Sequence, residues 1–229
     1  MATGFAQIQH NTISSKAGYK TLFERITEKT KGEKKSLSWY RSAVKSEAST
    51  YNKNFKKYIL DEKKDRVGAA KEQDVNELRR YTVAGHLYMF EYKAKIRWLP
   101  YYDMFPLVYV IKASNKREFW GANLHYLTPK KRIQATRKLI QGRIDLPKGC
   151  FHKYLSAHVE SLYLDLALVE WDTAILLPTE NFVRDVNGMM FPIDKENVWE
   201  DTNENFYDKI RGQRLVQGYG TSQSREMVT

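Results

Sequence analysis

Apolar residues recur at helical spacing through the first 60 residues of the chain. Tyr19, Leu22, Phe23 and Ile26 predict a short amphipathic helix over 18–30. A basic loop at 29–35 follows, and a longer apolar stripe then predicts a second helix over 37–60; the stripe consists of Tyr40, Val44, Ala48, Tyr51, Phe55 and Tyr58. A highly charged connection at 61–74 leads into a third predicted helix at about 72–82. The first third of the chain is therefore expected to be helical.

The middle of the chain changes to β-type patterning. Aromatic and β-branched residues with period-2 features predict three strands, at 86–98, 107–113 and 118–127. The first two strands are separated by an irregular turn with two prolines, and the second and third by a short turn at 114–117. Gly121 inside the third strand indicates a β-bulge or a close backbone approach. These features predict an antiparallel meander in a small, strongly curved sheet or barrel.

The remainder is mixed. Thr128 and Pro129 are typical of a helix start, and the predicted basic helix over 130–140 ends at Gly142. Further predicted elements are a segment at 152–172 that begins as a helix, a short buried strand at 173–178, a helix at 203–215 and a mobile tail from about 216. The expected fold class is α+β. A basic helical part at 1–84 is expected to lead into a β-meander or barrel with helices at 85–229, in one compact unit.

Charge is unevenly distributed along the chain. The formal net charge of +11 divides into +8 on residues 1–80, +9 on residues 81–160 and −6 on residues 161–229. Clustered basic residues are typical of nucleic-acid-binding proteins. A solvated basic face that binds nothing is the alternative.

Composition excludes several classes of protein. A hydrophobic content of 42% with 13% aromatic residues argues against global disorder. No run of 18 apolar residues occurs, so no transmembrane helix is expected. Cys150 is the single cysteine, which rules out an intramolecular disulfide and favours a reducing compartment.

Candidate catalytic groups are weak. Cys150, His152 and His158 lie close in sequence, but without a second cysteine their spacing fits no closed zinc site. Glu91 and Lys93 share one strand face, as in metal-dependent nucleases, yet no convincing aspartate precedes them. No nucleophile elbow, P-loop or dinucleotide-binding motif is present. We therefore expect neither an enzyme, a metal site nor a cofactor.

The basic clusters are the candidate DNA-binding residues, because they would neutralise phosphates without reading sequence. The first cluster lies on the predicted helix after Thr128, where the helix N-terminus itself favours anions. The candidates are Lys130, Lys131, Arg132, Arg137 and Lys138 on that helix, Lys93, Lys95 and Arg97 along the first strand, and Lys34 and Lys35 in the N-terminal loop.

Polar residues are also expected to fix the proline-containing turn. Tyr101, Tyr102, Asp103 and Phe105 are predicted to hold the turn over the sheet rather than to contact a ligand. Asn123 and His125 offer polar groups that could pack against it.

Three strings carry a resemblance to a known family. They are GHLYMFEYKAKIRWLPYYDMFPLVYVIKA, FWGANLHYL and CFHKYLSAHVESLYLDLALVEWDTAILLPTENF. The chain resembles, from about Tyr19 to Tyr219, the DNA end protector (head completion) proteins of T-even-type tailed bacteriophages.

The resemblance implies a non-enzymatic protein of the virion and, after injection, the host cytoplasm. Such a protein would bind the termini of packaged double-stranded DNA and shield them from host exonuclease, with other head or neck proteins as partners. No DNA-contacting residue is carried over from the family. The alternative is a structural neck or baseplate subunit without a direct role at DNA ends.

Overall fold

The computed structural model describes residues 20–62, 78–79, 82–95, 99–113, 117–161 and 163–203, which form an α+β fold. The helices are α1 (Leu22–Lys29), α2 (Leu37–Glu62), α3 (Pro129–Ile140), α4 (Trp171–Ala174) and α5 (Lys195–Asn203). The strands are β1 (Leu78–Arg79), β2 (Leu87–Met89), β3 (Leu107–Ala113), β4 (Glu118–Asn123), β5 (Phe151–Leu155), β6 (Tyr163–Leu166), β7 (Phe182–Val186) and β8 (Met189–Ile193). Single 3-10 turns lie at Leu124–Tyr126, Lys148–Cys150, Ser156–His158 and Leu168–Glu170.

The helices predicted over 18–30 and 37–60 are confirmed as α1 and α2. Helix α1 begins at a capping box, in which the Thr21 hydroxyl accepts from Glu24 N (3.4 Å) and the Glu24 carboxylate accepts from Thr21 N (2.8 Å). This box satisfies two N–H groups at the helix start. Helix α1 therefore begins at Leu22, after the predicted start at residue 18.

The main sheet is antiparallel, with the strand order β1-β6-β2-β3-β4-β5. Strands β2, β3 and β4 form the predicted meander, and β5 extends it by one strand. A separate hairpin of β7 and β8 is joined to the main sheet region by paired backbone hydrogen bonds between Tyr102 and Val183 (2.8 and 2.9 Å).

An aromatic cluster shows how strongly the main sheet curves. The ring centroids of Phe90, next to β2, and Tyr154, on β5, are 5.5 Å apart. Three strand spacings separate β2 from β5, about 14 Å in a flat sheet. The sheet therefore curls around these rings, but the strand order is open in the residues described, so the predicted curvature is confirmed and a closed barrel is not formed.

Alternate residues of the strands face two different cores. Leu87 and Met89 of β2 belong to the main core, which includes buried residues of α1, α2, α3 and α4. Tyr88 and Phe90 belong instead to the aromatic cluster inside the curl. Strand β2 is therefore buried on both faces. The helices pack on the face of the sheet opposite the aromatic cluster.

The predicted helix at the start of 152–172 is wrong. Residues 151–155 pair along their whole length with β4, and 163–166 form a central strand buried on both faces. Strand β6 is buried on both faces and lacks polar alternation, and β5 is mostly half-buried, so neither shows the simple alternation of a strand with one exposed face. The strand predicted at 173–178 is also wrong, because its first two residues are the end of α4. The residues that follow form a turn in which Ile175 and Leu177 are buried.

Other element boundaries differ. The strand predicted at 118–127 ends at Asn123, whose side chain accepts from His125 N (3.0 Å) and starts a 3-10 turn. Within the helix predicted at 72–82, residues 78–79 form β1, and the rest of that helix is largely outside the described residues. The end of the charged connection, the helix predicted at 203–215 beyond Asn203 and the tail from 216 also lie outside them.

Both the β-bulge and the close approach of the backbone are found at Gly121. The β3–β4 register shifts between Val110 and Lys112, opposite Gly121 and Trp120, which is a β-bulge. A Cβ at Gly121 would lie 2.3 Å from Val108 Cγ1 and 3.0 Å from Tyr109 O. The absence of a side chain is therefore what allows β3 and β4 to approach here.

We expect Gly121→Ala to lower the free energy of unfolding by about 1–3 kcal/mol, because the new methyl group overpacks the sheet. Urea denaturation followed by circular dichroism measures this change.

The double-mutant cycle with Val108→Ala identifies the clash. Because Val108 Cγ1 is the nearest obstacle, Gly121→Ala should cost less in a Val108→Ala background than in the parent chain. An equal cost in both backgrounds contradicts this explanation.

Candidate nucleic-acid interface

Helix α3 carries the main predicted basic cluster, and local sequence sets both of its ends. The Thr128 hydroxyl accepts from Lys131 N (3.4 Å), and Pro129 occupies the first helical position. At the other end Gly142 has φ 74°, with Gly142 N donating to Leu139 O and Arg143 N to Lys138 O (both 2.9 Å). This pair of bonds is a Schellman motif, which stops the helix where the sequence predicted.

The outer side of α3 is basic. Lys130, Lys131 and Arg137 are exposed, and Lys138 is half-exposed in an ion pair with Asp145 (2.6 Å). Lys130, Gln134, Arg137 and Gln141 follow one another at spacings of three and four residues and are all exposed, so they form one row along the helix. The helix contains no acidic residue. We call this exposed side, Lys130, Lys131, Gln134, Arg137, Lys138 and Gln141, the basic row of α3.

Arg132 does not belong to the basic row, which corrects its prediction as a DNA-binding residue. It is fully buried, and its guanidinium donates to Leu124 O (3.1 Å), Leu127 O (3.2 Å), Ile175 O (3.0 Å) and Leu177 O (3.3 Å), and also to the Thr179 hydroxyl. Burial lowers its pKa to about 10, with the charge of Arg41 acting in the same direction. A guanidinium held by the interior cannot reach a phosphate outside.

The other predicted basic residues lie on different elements. Lys93 and Lys95 are exposed on the segment after β2, where Lys93 N donates to His158 O (3.0 Å). Lys34 is exposed before α2, whereas Lys35 is half-buried and pairs with Glu33. Arg97 lies outside the described residues. Of the ten predicted residues, the structure therefore brings four together on the exposed side of α3 and places four others on two more segments.

Arg143 is a surface cation that the sequence analysis missed. It is exposed directly after the glycine that ends α3, close enough to Asp145 to help lower the pKa of that carboxyl, the ion pair with Lys138 being the larger cause. Its position immediately beyond the predicted helix terminator was a signal available in the sequence.

A buried polar cluster lies beneath this part of the molecule. The Asp103 carboxylate accepts from Phe105 N (2.9 Å), from the Asn123 amide (3.1 Å) and from His125 Nδ1 (2.7 Å). These bonds confirm that Asp103 fixes the proline-containing turn and that Asn123 and His125 anchor it. Arg41 of α2 joins the turn from the other side by donating to Phe105 O (2.8 Å).

The cluster settles into one protonation state near neutral pH. Burial raises the pKa of Asp103, but His125, Arg41 and Asn123 outweigh it and lower that pKa to about 2. Burial lowers the pKa of His125 to about 4, against the opposing effect of Asp103. Asp103 is thus ionised, and a neutral His125 donates its Nδ1 proton to it.

The predicted enzyme candidates do not assemble into a site. Glu91 accepts a hydrogen bond from the Ser49 hydroxyl, and burial raises the pKa of the Cys150 thiol to about 12. Among the residues described, no group of three or more histidine, cysteine, aspartate or glutamate side chains could hold a metal ion. No helix in those ranges is long and apolar enough to cross a membrane. Among the described residues, the exposed cations of the basic row are the candidate binding surface.

Arg132→Gln should destabilise the protein by about 3–5 kcal/mol, because it leaves several buried carbonyl groups without donors. Lys130→Gln removes the same charge two residues away on the exposed side and should change stability by no more than about 0.5 kcal/mol. Thermal and urea unfolding of the two variants measure the difference. Similar stabilities of the two would show that Arg132 is not held as described.

Acidification should weaken the fold between about pH 6.5 and pH 4. The pKa of His125 falls from 6.5 to about 4 on folding, and burial of its ring does the same for His152. In this range the unfolded chain binds more protons, so stability falls as the pH falls, by up to about 1.4 kcal/mol per pH unit for each histidine. Urea titrations at several pH values measure the slope.

His125→Gln tests whether His125 causes part of this pH dependence. The variant should reduce the slope of stability against pH by the amount expected for about one bound proton, whatever its effect on stability. Val44→Ala is the control, because it removes buried volume without a titrating group and should keep the parental slope. An unchanged slope in His125→Gln contradicts the assignment.

The comparisons with known proteins agree with the sequence resemblance. Residues 34–144 match the family model described as phage T4 terminal DNA protecting protein. No curated protein and no solved structure matches the chain. The matched range holds Arg41, Asp103 and His125 of the buried cluster and the whole of α3 with its basic row. Over residues 34–144, just under half of its length, the chain is therefore similar to the family of the phage T4 terminal DNA protecting protein.

Proposed function

We propose that this protein binds the ends of double-stranded DNA through their phosphates, without reading sequence, and shields them from host exonuclease. The observation that carries the proposal is the position of the basic row of α3 inside residues 34–144, the range that matches a terminal DNA protecting family.

The charges of the basic row favour an external anion. Among the residues described, Lys130 and Arg137 have no carboxylate within ion-pair distance, and α3 supplies none of its own. Cations in the first turn of a helix oppose the helix dipole. A bound phosphate relieves that repulsion, and Lys93, Lys95 and Lys34 are further exposed positive charges on two other segments.

Shielding follows from occupancy and needs no chemistry. An exonuclease must bind the terminal nucleotides, so a folded domain seated on them blocks access sterically. We propose that the protein travels in the virion on the packaged DNA and keeps this position in the host cytoplasm.

A protein partner in the phage head or neck is the second candidate, and the β7–β8 hairpin favours it. Its strand β8 exposes Met189 (61% exposed), Met190 (39%) and Phe191 (46%) in succession. Adjacent exposed apolar side chains of this kind are typical of protein interfaces. The structural role is compatible with DNA binding, since the hairpin lies outside the matched range and α3 inside it.

Duplex binding should depend steeply on salt. If about five phosphates are neutralised, the slope of log affinity against log salt is near −4.5. The double change Lys130→Gln and Lys131→Gln should weaken binding about tenfold and reduce the magnitude of the slope by nearly two units. Gel shifts or fluorescence anisotropy at several salt concentrations measure both.

A matched control removes the same charge elsewhere. Lys20 and Lys29 on and beside α1 are held in ion pairs, with Glu28 (2.6 Å) and with Glu47, and both lie outside residues 34–144. Changing both to Gln should leave the salt slope close to the parental value. Equal losses in the two double variants would mean that net charge, not the basic row, determines binding.

Linear duplex incubated with the protein should resist a processive exonuclease, and the parent should protect better than the Lys130→Gln, Lys131→Gln variant. Adding excess closed-circular DNA separates end binding from general coating, because only coating is competed away.

Without exonuclease, the DNA should remain intact in magnesium or manganese. Cleavage that Glu91→Ala abolishes would instead identify a nuclease.

A further inference from the structure

Two isoleucines are partly exposed where α3 ends. Ile140, the last residue of the helix, is 42% exposed, and Ile144, just past the Schellman turn, is 40% exposed. The backbone between them is fixed by the Gly142 and Arg143 hydrogen bonds to the last turn of the helix. Both side chains are therefore held at one end of the basic row by ordered backbone.

An exposed arginine precedes each of the two isoleucines in the chain. Arg137 lies one turn before Ile140, and Arg143 precedes Ile144, both exposed. The nearest acid in sequence, Asp145, is engaged by Lys138 at 2.6 Å. A ligand for this surface should therefore present an apolar face with negative charges beside it.

The end of a DNA duplex has that composition. Its terminal base pair exposes one flat, unstacked face, flanked by the phosphates of both strands. An internal stretch of duplex presents grooves and phosphates but no open base face. Exposed isoleucine, leucine and methionine side chains pack against base faces in proteins that open a base step.

The length of α3 separates the phosphate contacts of Lys130 from the apolar contacts of Ile140. Ten residues from Lys130 to Ile140 correspond to about 15 Å along α3. At 3.4 Å per base-pair step this distance spans roughly four steps of duplex. A helix laid along the last turn of DNA can therefore set Lys130 on internal phosphates while Ile140 reaches the end.

We propose that Ile140 and Ile144 pack on the terminal base pair of a blunt duplex, with Arg137 and Arg143 on its flanking phosphates, and that this contact makes the protein prefer ends to internal DNA. The inference rests on the proposed function and deepens it, because the basic row alone gives affinity without end preference.

The test compares two DNA probes of the same sequence, one with open blunt ends and one with both ends closed by thymidine loops. The parent should bind the open probe more tightly than the closed one. Replacing both Ile140 and Ile144 with serine should lower the ratio of the two affinities about tenfold, the size expected for losing one base-face contact. Affinity for the closed probe should remain within about twofold of the parent. Ile144→Trp, with a larger apolar surface, should raise the ratio.

Replacing exposed Val169 and Leu176 with serine is the matched control, because these side chains are 75% and 49% exposed and lie outside residues 34–144. This variant should keep the parental ratio. Equal binding of both probes by the parent, or an unchanged ratio in the double isoleucine variant, overturns the end contact while duplex binding stands. Binding to neither probe overturns both proposals.

Discussion

The buried carboxylate of Asp103 is the constraint on which the surrounding structure depends. An ionised group in a protein interior is costly unless hydrogen bonds replace its water. Asp103 obtains those bonds from Phe105 N, Asn123 and His125, so the proline-containing turn and the end of β4 must be in place together. His125 in turn offers its backbone carbonyl to the Trp199 indole (2.9 Å), which brings α5 onto the same site.

Arg132 imposes a second constraint of the same kind, with the opposite charge. Its guanidinium needs several acceptors at once, and carbonyls within 124–127 and 175–177 supply them together with the Thr179 hydroxyl. Helix α3 must therefore turn the Arg132 side inward, together with Ala135, Thr136 and Leu139. The basic row points outward as a consequence, because α3 packs only its Arg132 side against the core.

The elements with a clear local signal could be predicted from the sequence. Thr128, Pro129 and Gly142 bound α3 correctly, and Gly121 indicated the bulge in the meander. Strand β6, which is buried on both faces, the mostly half-buried β5 and the turn after α4 could not, since their apolar residues follow no single period. For the site, the cluster on α3 was identified, but the inward position of Arg132 depends on carbonyls more than 40 residues away, which no local pattern reveals.

The two buried charges also bear on how the surface can act. Binding that orders a flexible segment loses affinity to conformational entropy, whereas a preformed surface does not. Helix α3 is capped by Thr128, closed by Gly142 and fixed inward by Arg132, so its exposed side chains start from a rigid backbone. Phosphate spacing on a duplex is regular, and a rigid row of cations can match it without rearrangement. The proposed shielding of DNA ends by occupancy would need a fixed surface more than a catalytic cleft, and Thr128, Gly142 and Arg132 fix the backbone beneath the basic row.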